Sequence, residues 1–356
     1  MGSATTSITS NNNNSNNNSN NTTSEHRKLK ASAPVLGVGD RIGEGDTYLV
    51  KNVLPPELAE TAMEKLLKEV AWNVMHHRGG EVPRLVAVQG EIDADGHYPI
   101  YRHPADESPP LRAFSPTVSA IRAHVERALQ HPVNHVLIQL YRTGADYISE
   151  HSDKTIDVVR GSRIVNLSLG ARRTMTLRTK KDATTTTTTT TAAAEQGQGQ
   201  GDGDHAGGMR RATQRVPLPH NSLFVMGLET NARWMHSVHT DKRPEDAKDP
   251  AERGRRISLT FRHIGTFLTA PAPSPASPLA PPAGQGSERQ RQCIFGQGAT
   301  GKTRAEAGPV VRGGEEAERL LAAFGAENHQ SEFDWEGAYG DGFDVLHFAT
   351  GGVALA

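Results

Sequence analysis

A histidine and an aspartate stand two residues apart in the stretch Tyr147-Ile-Ser-Glu-His-Ser-Asp-Lys154. Side chains on extended backbone alternate between faces, so His151 and Asp153 point the same way if this stretch is a strand. One imidazole nitrogen and one carboxylate oxygen then converge on a single point. A third donor, a distant histidine, would complete a 2-His-1-carboxylate set, which suits non-haem Fe(II) and leaves coordination positions open. His220, His236 and His239 lie downstream. Spacing alone does not choose among the three, although Asn231-Ala-Arg-Trp-Met-His236 places its histidine just after an aromatic-apolar pair, as if leaving a sheet.

A second stretch carries charge where a core is expected. In Arg256-Ile-Ser-Leu-Thr-Phe-Arg262 the alternation puts Arg256, Ser258, Thr260 and Arg262 on one face and Ile257, Leu259 and Phe261 on the other. Two inward arginines are costly in an ordinary core. They are reasonable if they meet a dianionic small molecule, because guanidinium pairs with carboxylate through two parallel hydrogen bonds. Gln139 and Tyr141 share one face of His135-Val-Leu-Ile-Gln-Leu-Tyr-Arg142 and offer an amide and a phenol to the same cavity.

The elements that must position these residues follow from periodicity. Thr47–Val53 reads as a strand. Leu54-Pro-Pro56 starts a helix whose Leu58, Ala62, Leu66 and Val70 recur at helical spacing. Val82–Gly90 reads as a strand or extended loop. Ser115-Pro116 is expected to cap a second helix with Val118, Ile121, Val125 and Leu129 as its stripe. From His135 the period changes to two, through Arg163–Gly170, Arg173–Thr179, Arg215–Pro219, Ser222–Met226 and Arg256–Arg262. Many short strands with Gly, Pro and Asn turns argue for an antiparallel sandwich or jelly roll.

Composition sets the limits. Gly (35) and Pro (21) are abundant in the 356 residues, net charge is −1, and Cys293 is the single cysteine, so no internal disulfide forms and a reducing compartment is expected. No apolar run reaches the ~18 to 20 residues of a membrane span, and the Asn/Ser-rich start has the form of neither a signal peptide nor a lipid anchor. A soluble, intracellular protein is expected. Residues 1–33 read as a disordered Asn/Ser-rich tail. Residues 46–268 form the folded domain, with 46–133 as support and substrate-recognition segment and 134–268 as jelly roll. A Thr/Ala/Gly-rich insertion at 182–210 and a Pro-rich linker at 269–290 read as disordered. Residues 291–356 are an acidic C-terminal extension, with five Arg/Lys against ten Asp/Glu. Its Phe333, Trp335, Tyr339 and Phe343 are expected to dock it on the catalytic domain.

Five motifs occur in order: Asn134 to Asp153, Asn166-Leu-Ser-Leu-Gly-Ala171, Leu218-Pro-His-Asn-Ser-Leu223, Trp234-Met-His236-Ser-Val238 and Arg256 to Arg262. Together they resemble the AlkB family of Fe(II)- and 2-oxoglutarate-dependent dioxygenases, with Val82-Pro83-Arg84 matching its eukaryotic DNA-repair members. The resemblance implies a double-stranded β-helix core with flanking helices, mainly β within an α+β fold. It implies His151, Asp153 and His236 as iron ligands. Arg256 would lie near cosubstrate and iron, Arg262 would bind the far carboxylate of 2-oxoglutarate, and Tyr141 would bind the same cosubstrate. Gln139 and Ser258 replace residues that are usually Asn in the family. The implied reaction is oxidative demethylation of N-alkylated nucleic-acid bases with Fe(II), 2-oxoglutarate and dioxygen, releasing succinate, CO2 and formaldehyde.

A base in duplex DNA must be flipped out to reach a buried metal. Tyr98 and Tyr101 are the candidates for stacking on it, with Arg84 and Arg102 for phosphates. From Arg142 to Lys181 nine Arg/Lys stand against four Asp/Glu, a surplus of five, as a phosphate-facing surface requires. Alkylated DNA, or RNA, is the expected partner of a monomer in the nucleus, or in nucleus and cytoplasm; any protein partner of the C-terminal extension is left open. The alternatives are a 2-oxoglutarate oxygenase acting on RNA, protein or a small molecule, and a non-catalytic nucleic-acid-binding protein of the same fold. Gly296-Gln-Gly-Ala-Thr-Gly301-Lys302-Thr303 matches the phosphate-loop pattern, but only Cys293-Ile-Phe precedes it and Pro309 follows, so no parallel sheet is expected to support it.

Overall fold

A computed structural model describes residues 33–77, 80–104, 109–182, 211–269 and 292–347. The expected N-terminal tail, the Thr/Ala/Gly-rich insertion and the Pro-rich linker lie outside the described residues, apart from single residues at their edges. Two antiparallel sheets face each other as a jelly roll. The larger has seven strands in the order Tyr48–Lys51, Ser222–Met226, Ile164–Gly170, Arg256–Arg262, His135–Tyr141, Leu85–Gly90 and Leu111–Ala113, the last of which joins in parallel. The smaller has four: Thr213–Leu218, Arg173–Thr179, Trp234–Val238 and Ile148–His151.

The two-period alternation decides what each face of the larger sheet meets. Val136, Ile138 and Leu140, with Ile257, Leu259 and Phe261, point away from the smaller sheet. They pack on helices Pro56–Glu69 and Pro116–Leu129 through Ala62, Met63, Leu66, Val118, Ile121 and Val125. Full burial of each large aliphatic side chain here contributes about 1.5–3 kcal/mol. The opposite face meets Met175, Leu177, Val216 and Trp234 of the smaller sheet. It also carries Gln139, Tyr141, Arg256, Ser258, Thr260 and Arg262 into the cavity between the sheets.

Helix starts differ from expectation in one detail. Pro56 and Pro116 open their helices, but the Ser115 side chain caps nothing. Glu69 of the first helix takes over that task, its Oε2 accepting from Thr117 N at 3.0 Å and its Oε1 from Thr117 Oγ1 at 2.6 Å. The carboxylate satisfies an orphan N–H and lies at the positive helix end. Gly170 turns the chain out of its strand with φ +86°, where a Cβ would collide with the carbonyl of Arg255; no other residue fits without strain.

Elements that sequence periodicity missed include the strand Ile148–His151, the short helix Leu228–Arg233 and a third antiparallel sheet. That sheet runs Gly308–Pro309, Cys293–Gly296, Thr266–Leu268 and Tyr98–Pro99. It joins the C-terminal segment to the chain leaving Arg262 and to the N-terminal half. The helix Gly314–His329 then packs Ala317, Leu320 and Phe324 with Tyr339, Phe343 and Val345 around Ile156. The described residues form one compact unit. Among the described residues no helix is long and apolar enough to cross a membrane.

The phosphate-loop pattern sits in this third sheet. Cys293–Gly296 pairs only antiparallel, and a 3-10 turn at Arg304–Glu306 stands where a long helix is needed. Lys302 Nζ donates to the carbonyls of Gln297, Ala299 and Gly340 at 3.3, 2.9 and 3.0 Å. An ammonium has three donors, so none is left for a phosphate.

Candidate metal centre and cosubstrate pocket

His151 ends one strand of the smaller sheet and His236 is its direct cross-strand partner on Trp234–Val238. Opposed residues of an antiparallel pair have side chains in contact, and the two rings lie 4.3 Å apart between centroids. His236 therefore lies within a strand, not beyond the end of one. Asp153 follows two residues after His151, just past the end of that strand. Asp153 Oδ1 lies 3.7 Å from His151 Nε2 and 3.8 Å from His236 Nε2. All three donor atoms lie within 4.8 Å of one another. The other two candidates look elsewhere: His220 Nδ1 accepts from Gly170 N at 3.0 Å, and His239 Nε2 lies 3.2 Å from Ser237 Oγ.

The charge states suit a cation. His151 Nδ1 lies 2.8 Å from the carbonyl of Ser149, so it carries the proton and Nε2 is left as a lone-pair donor. Burial pushes the His236 imidazole down to about 3, helped by His151, and lowers His151 as well. Burial alone would raise the Asp153 carboxyl, but Arg262, His236 and His151 together hold it well below the usual carboxylate range. Two neutral imidazoles and one carboxylate oxygen thus converge, while a guanidinium holds the far carboxylate oxygen. Arg262 Nη2 and Nε donate to Asp153 Oδ2 at 2.7 and 3.1 Å, while its plane stacks 3.9 Å from the Tyr101 ring centre.

This placement reverses the expected order of the two arginines. Arg262 stands at the metal end and is engaged by Asp153. Arg256, six residues along the same strand, stands at the far end of the cavity. It is 1% exposed, and its Nη2 donates to Asn166 Oδ1 (2.9 Å) and Ser168 Oγ (2.8 Å). Its Nε and Nη1 are buried and have no partner. Arg256 lies over the Tyr141 ring at 5.0 Å, and the Tyr141 hydroxyl donates to Gln139 Oε1 at 3.4 Å. Two unpartnered donors of a buried cation are an unmet demand for an anion. The cavity of about 510 Å³, mouth included, holds both arginines and the three ligands along its length. A dicarboxylate with one end at the metal and the other at Arg256 fits the donor set.

Two asparagines escaped the sequence reading. Asn166 is the hub of the far end: besides Arg256, it donates from Nδ2 to Ser258 Oγ (2.5 Å) and Thr260 Oγ1 (3.0 Å). An amide in the middle of Ile164-Val-Asn-Leu-Ser-Leu-Gly170, otherwise apolar or small, was the available signal. Asn231 is 1% exposed, accepts from Asp153 N at 2.9 Å and donates to Asp153 O at 3.0 Å. It fixes the backbone of the carboxylate ligand from a helix that periodicity did not show.

The residues expected to meet substrate divide. Arg84 does not line the cavity: its Nη1 donates to Tyr147 O at 2.8 Å and its Nε is buried without a partner. Tyr101 supports the loop that carries Asp153: its hydroxyl accepts from Lys154 N at 3.0 Å and Arg262 covers one face, so it is not an open stacking platform. Tyr98 accepts from Gln292 Nε2 at 2.6 Å in the third sheet, away from the cavity lining. Arg102 is corrected outright. It is 2% exposed, and its five N–H groups serve Asp157 and the carbonyls of Gly298, Phe343 and Val345. No donor is left for phosphate.

The profile of the family described as 2OG-Fe(II) oxygenase superfamily matches residues 46–262, more than half of the chain. The chain belongs to that superfamily. The members' cofactor set is Fe(II) with 2-oxoglutarate and dioxygen, and the His151, Asp153, His236 cluster and the unpartnered Arg256 donors fit it. Over 153 residues this superfamily chain is 31% identical to DNA oxidative demethylase ALKBH2 of Homo sapiens, covering 43% of this chain and 48% of that protein. Over 212 residues it is 26% identical to alpha-ketoglutarate-dependent dioxygenase alkB homolog 3 of Homo sapiens, covering 58% and 62%. The AlkB resemblance is borne out, and the chain spans about half to three-fifths of the length of these relatives. A solved structure titled "The structure of OsALKBH1" aligns at a TM-score of 0.36 and 15% identity over 61% of this chain and 96% of that one, a likeness too loose to carry an argument.

Proposed function

We propose that the protein oxidatively demethylates N-alkylated bases of nucleic acid, with DNA as the preferred polymer. The observation that carries the reading is the pairing of the His151, Asp153, His236 cluster with a buried arginine, two of whose nitrogens lack a partner, at the other end of one cavity. The similarity to ALKBH2 and alkB homolog 3 supports the substrate class. Fe(II) with 2-oxoglutarate and dioxygen, when bound, supplies the oxidising power that hydroxylates an N-methyl carbon, yielding succinate, CO2 and formaldehyde.

The chain's own part is binding and orientation. His151 Nε2, His236 Nε2 and Asp153 Oδ1 hold the metal. Asp153 stays ionised because Arg262 occupies its other oxygen. Arg256 holds the far carboxylate of 2-oxoglutarate, with Tyr141 beside it and Asn166 fixing the guanidinium. The apolar wall of Leu137, Ile148, Met175, Phe224 and Val238 excludes water around them. Arg84, bonded to the backbone of the exposed Tyr147, is assigned to the polynucleotide. A nuclear location belongs to the same reading, as does solitary action without a partner chain.

The test is a panel of N-methylated single- and double-stranded DNA and RNA oligonucleotides, incubated with iron, ascorbate and 2-oxoglutarate. Formaldehyde release from methylated DNA, and none after Asp153→Ala, is the expected result. Turnover of 2-oxoglutarate by the wild type with no oligonucleotide demethylated would overturn the substrate class and leave the oxygenase.

A further inference from the structure

The loop that carries Asp153 has an unusual support. From Ser152 to Thr155 four consecutive backbone N–H groups are accepted by side chains and none by a sheet partner. Asp153 N goes to Asn231 Oδ1 (2.9 Å) and Lys154 N to the Tyr101 hydroxyl (3.0 Å). Both of those residues lie within the stretch 46–262 that matches the superfamily. The other two acceptors do not. Ser152 N donates to Asn328 Oδ1 at 3.1 Å, and Thr155 N and Oγ1 donate to Glu327 Oε1 at 2.9 and 2.5 Å.

The helix that bears these acceptors is itself anchored. Glu327 is 4% exposed, and its second oxygen accepts from the Tyr339 hydroxyl at 2.8 Å. Lys180 Nζ donates to the carbonyls of Glu327 and Gln330 at 2.6 and 3.2 Å, satisfying orphan groups at the helix end. Lys154 Nζ adds a contact to Asn328 Oδ1 at 3.3 Å. Beyond the loop, Ile156 lies in the apolar cluster of the C-terminal segment, and Gln297 Nε2 donates to the carbonyls of Ile156 and Val158 at 3.0 and 2.7 Å. The Asp153 backbone is thus clamped between the catalytic fold on one side and residues 297–345 on the other.

We propose that Glu327 and Asn328 are positioning residues of the metal centre, so that the C-terminal helix completes the iron site from outside the superfamily's matched region. The proposal rests on the reading of His151, Asp153 and His236 as metal ligands. Partners that orient a ligand from behind typically alter metal affinity by about 10- to 100-fold when removed. A clamp on both sides of Asp153 fixes Oδ1 at its distance from the two imidazoles.

The experiment titrates Mn(II) into the metal-free full chain, following free Mn(II) by electron paramagnetic resonance at a temperature where every variant is folded by circular dichroism. Asn328→Ala and Glu327→Ala are each expected to weaken binding by about 10-fold. Glu327→Gln keeps an acceptor oxygen for Thr155 and is expected to restore most of the affinity. Leu320→Ala, in the same helix but accepting none of the loop's N–H groups, is expected to lower the melting temperature with Mn(II) affinity unchanged. Equal weakening by Leu320→Ala, or no weakening by Asn328→Ala and Glu327→Ala, would overturn the proposal in favour of a packing role. If the wild type binds no Mn(II), or Asp153→Ala binds it as well, the metal assignment itself fails.

Discussion

Asp153 gives its two oxygens to different tasks: Oδ1 faces the imidazoles and Oδ2 holds Arg262. The two arginines of one strand are therefore expected to fail differently. Arg256→Leu should raise the KM for 2-oxoglutarate by about 10- to 100-fold, the scale of lost hydrogen bonds to a charged group, with little change in metal affinity. Arg262→Leu should weaken metal binding first, because it frees the carboxylate to turn. Steady-state kinetics beside a metal titration separate the two. Sequence showed that both arginines face inward. It did not show which end of the strand meets the metal, because that depends on where Asp153 arrives from another part of the chain. His135 gives a pH prediction. Burial, with Arg262 and His103 nearby, pushes its imidazole from 6.5 down to about 3. The unfolded chain therefore takes up a proton first as pH falls, and stability is lost from about 6.5 towards 3, at up to about 1.4 kcal/mol per pH unit. Denaturant titrations of the metal-free protein should show this slope reduced in His135→Leu.

Within the strand Arg256–Arg262 the two faces do separate work. Ile257, Leu259 and Phe261 are fully buried against the helices, while the other face lines the cavity. Leu259→Ala should cost about 2–5 kcal/mol of stability, the range for a large-to-small core change, and leave cosubstrate affinity intact once the protein is folded. Asn166→Ala should do the reverse: a small change in the unfolding midpoint and a raised KM for 2-oxoglutarate, since Arg256 loses the oxygen that orients it. Chemical denaturation and kinetics on the same pair check both outcomes. Most strands of this kind were legible because one buried face imposes period two. Ile148–His151 was not, since the strand is only four residues long and Ser149 and Glu150 break the apolar pattern. The helix Leu228–Arg233 was hidden for a similar reason: six residues are fewer than two turns.

At the scale of the molecule, Arg102 is where the N-terminal half, the ligand loop and the C-terminal segment meet. Its guanidinium pairs with Asp157, 0% exposed at its side chain, and reaches three carbonyls of residues 298–345. Gly298 allows that approach, because a Cβ there would lie 2.6 Å from both Arg102 Nη2 and Asp157 Oδ1. Arg102→Ala strands a buried carboxylate and should cost about 3–5 kcal/mol. Thermal unfolding should remain a single transition at a lower temperature. A drop in oligonucleotide affinity with unchanged melting would instead restore the phosphate role. The sequence by itself determined the alternating faces, the His-x-Asp pair, the inward arginines and, through ordered motifs, the family, because these are local periodicities and ordered patterns that need no partner. Only the tertiary structure decided which histidine joins His151, which arginine serves which end of the cavity, and that the C-terminal helix reaches the ligand loop. Each of those is a contact between segments far apart in the chain, fixed by strand register and sheet packing, which no local pattern encodes.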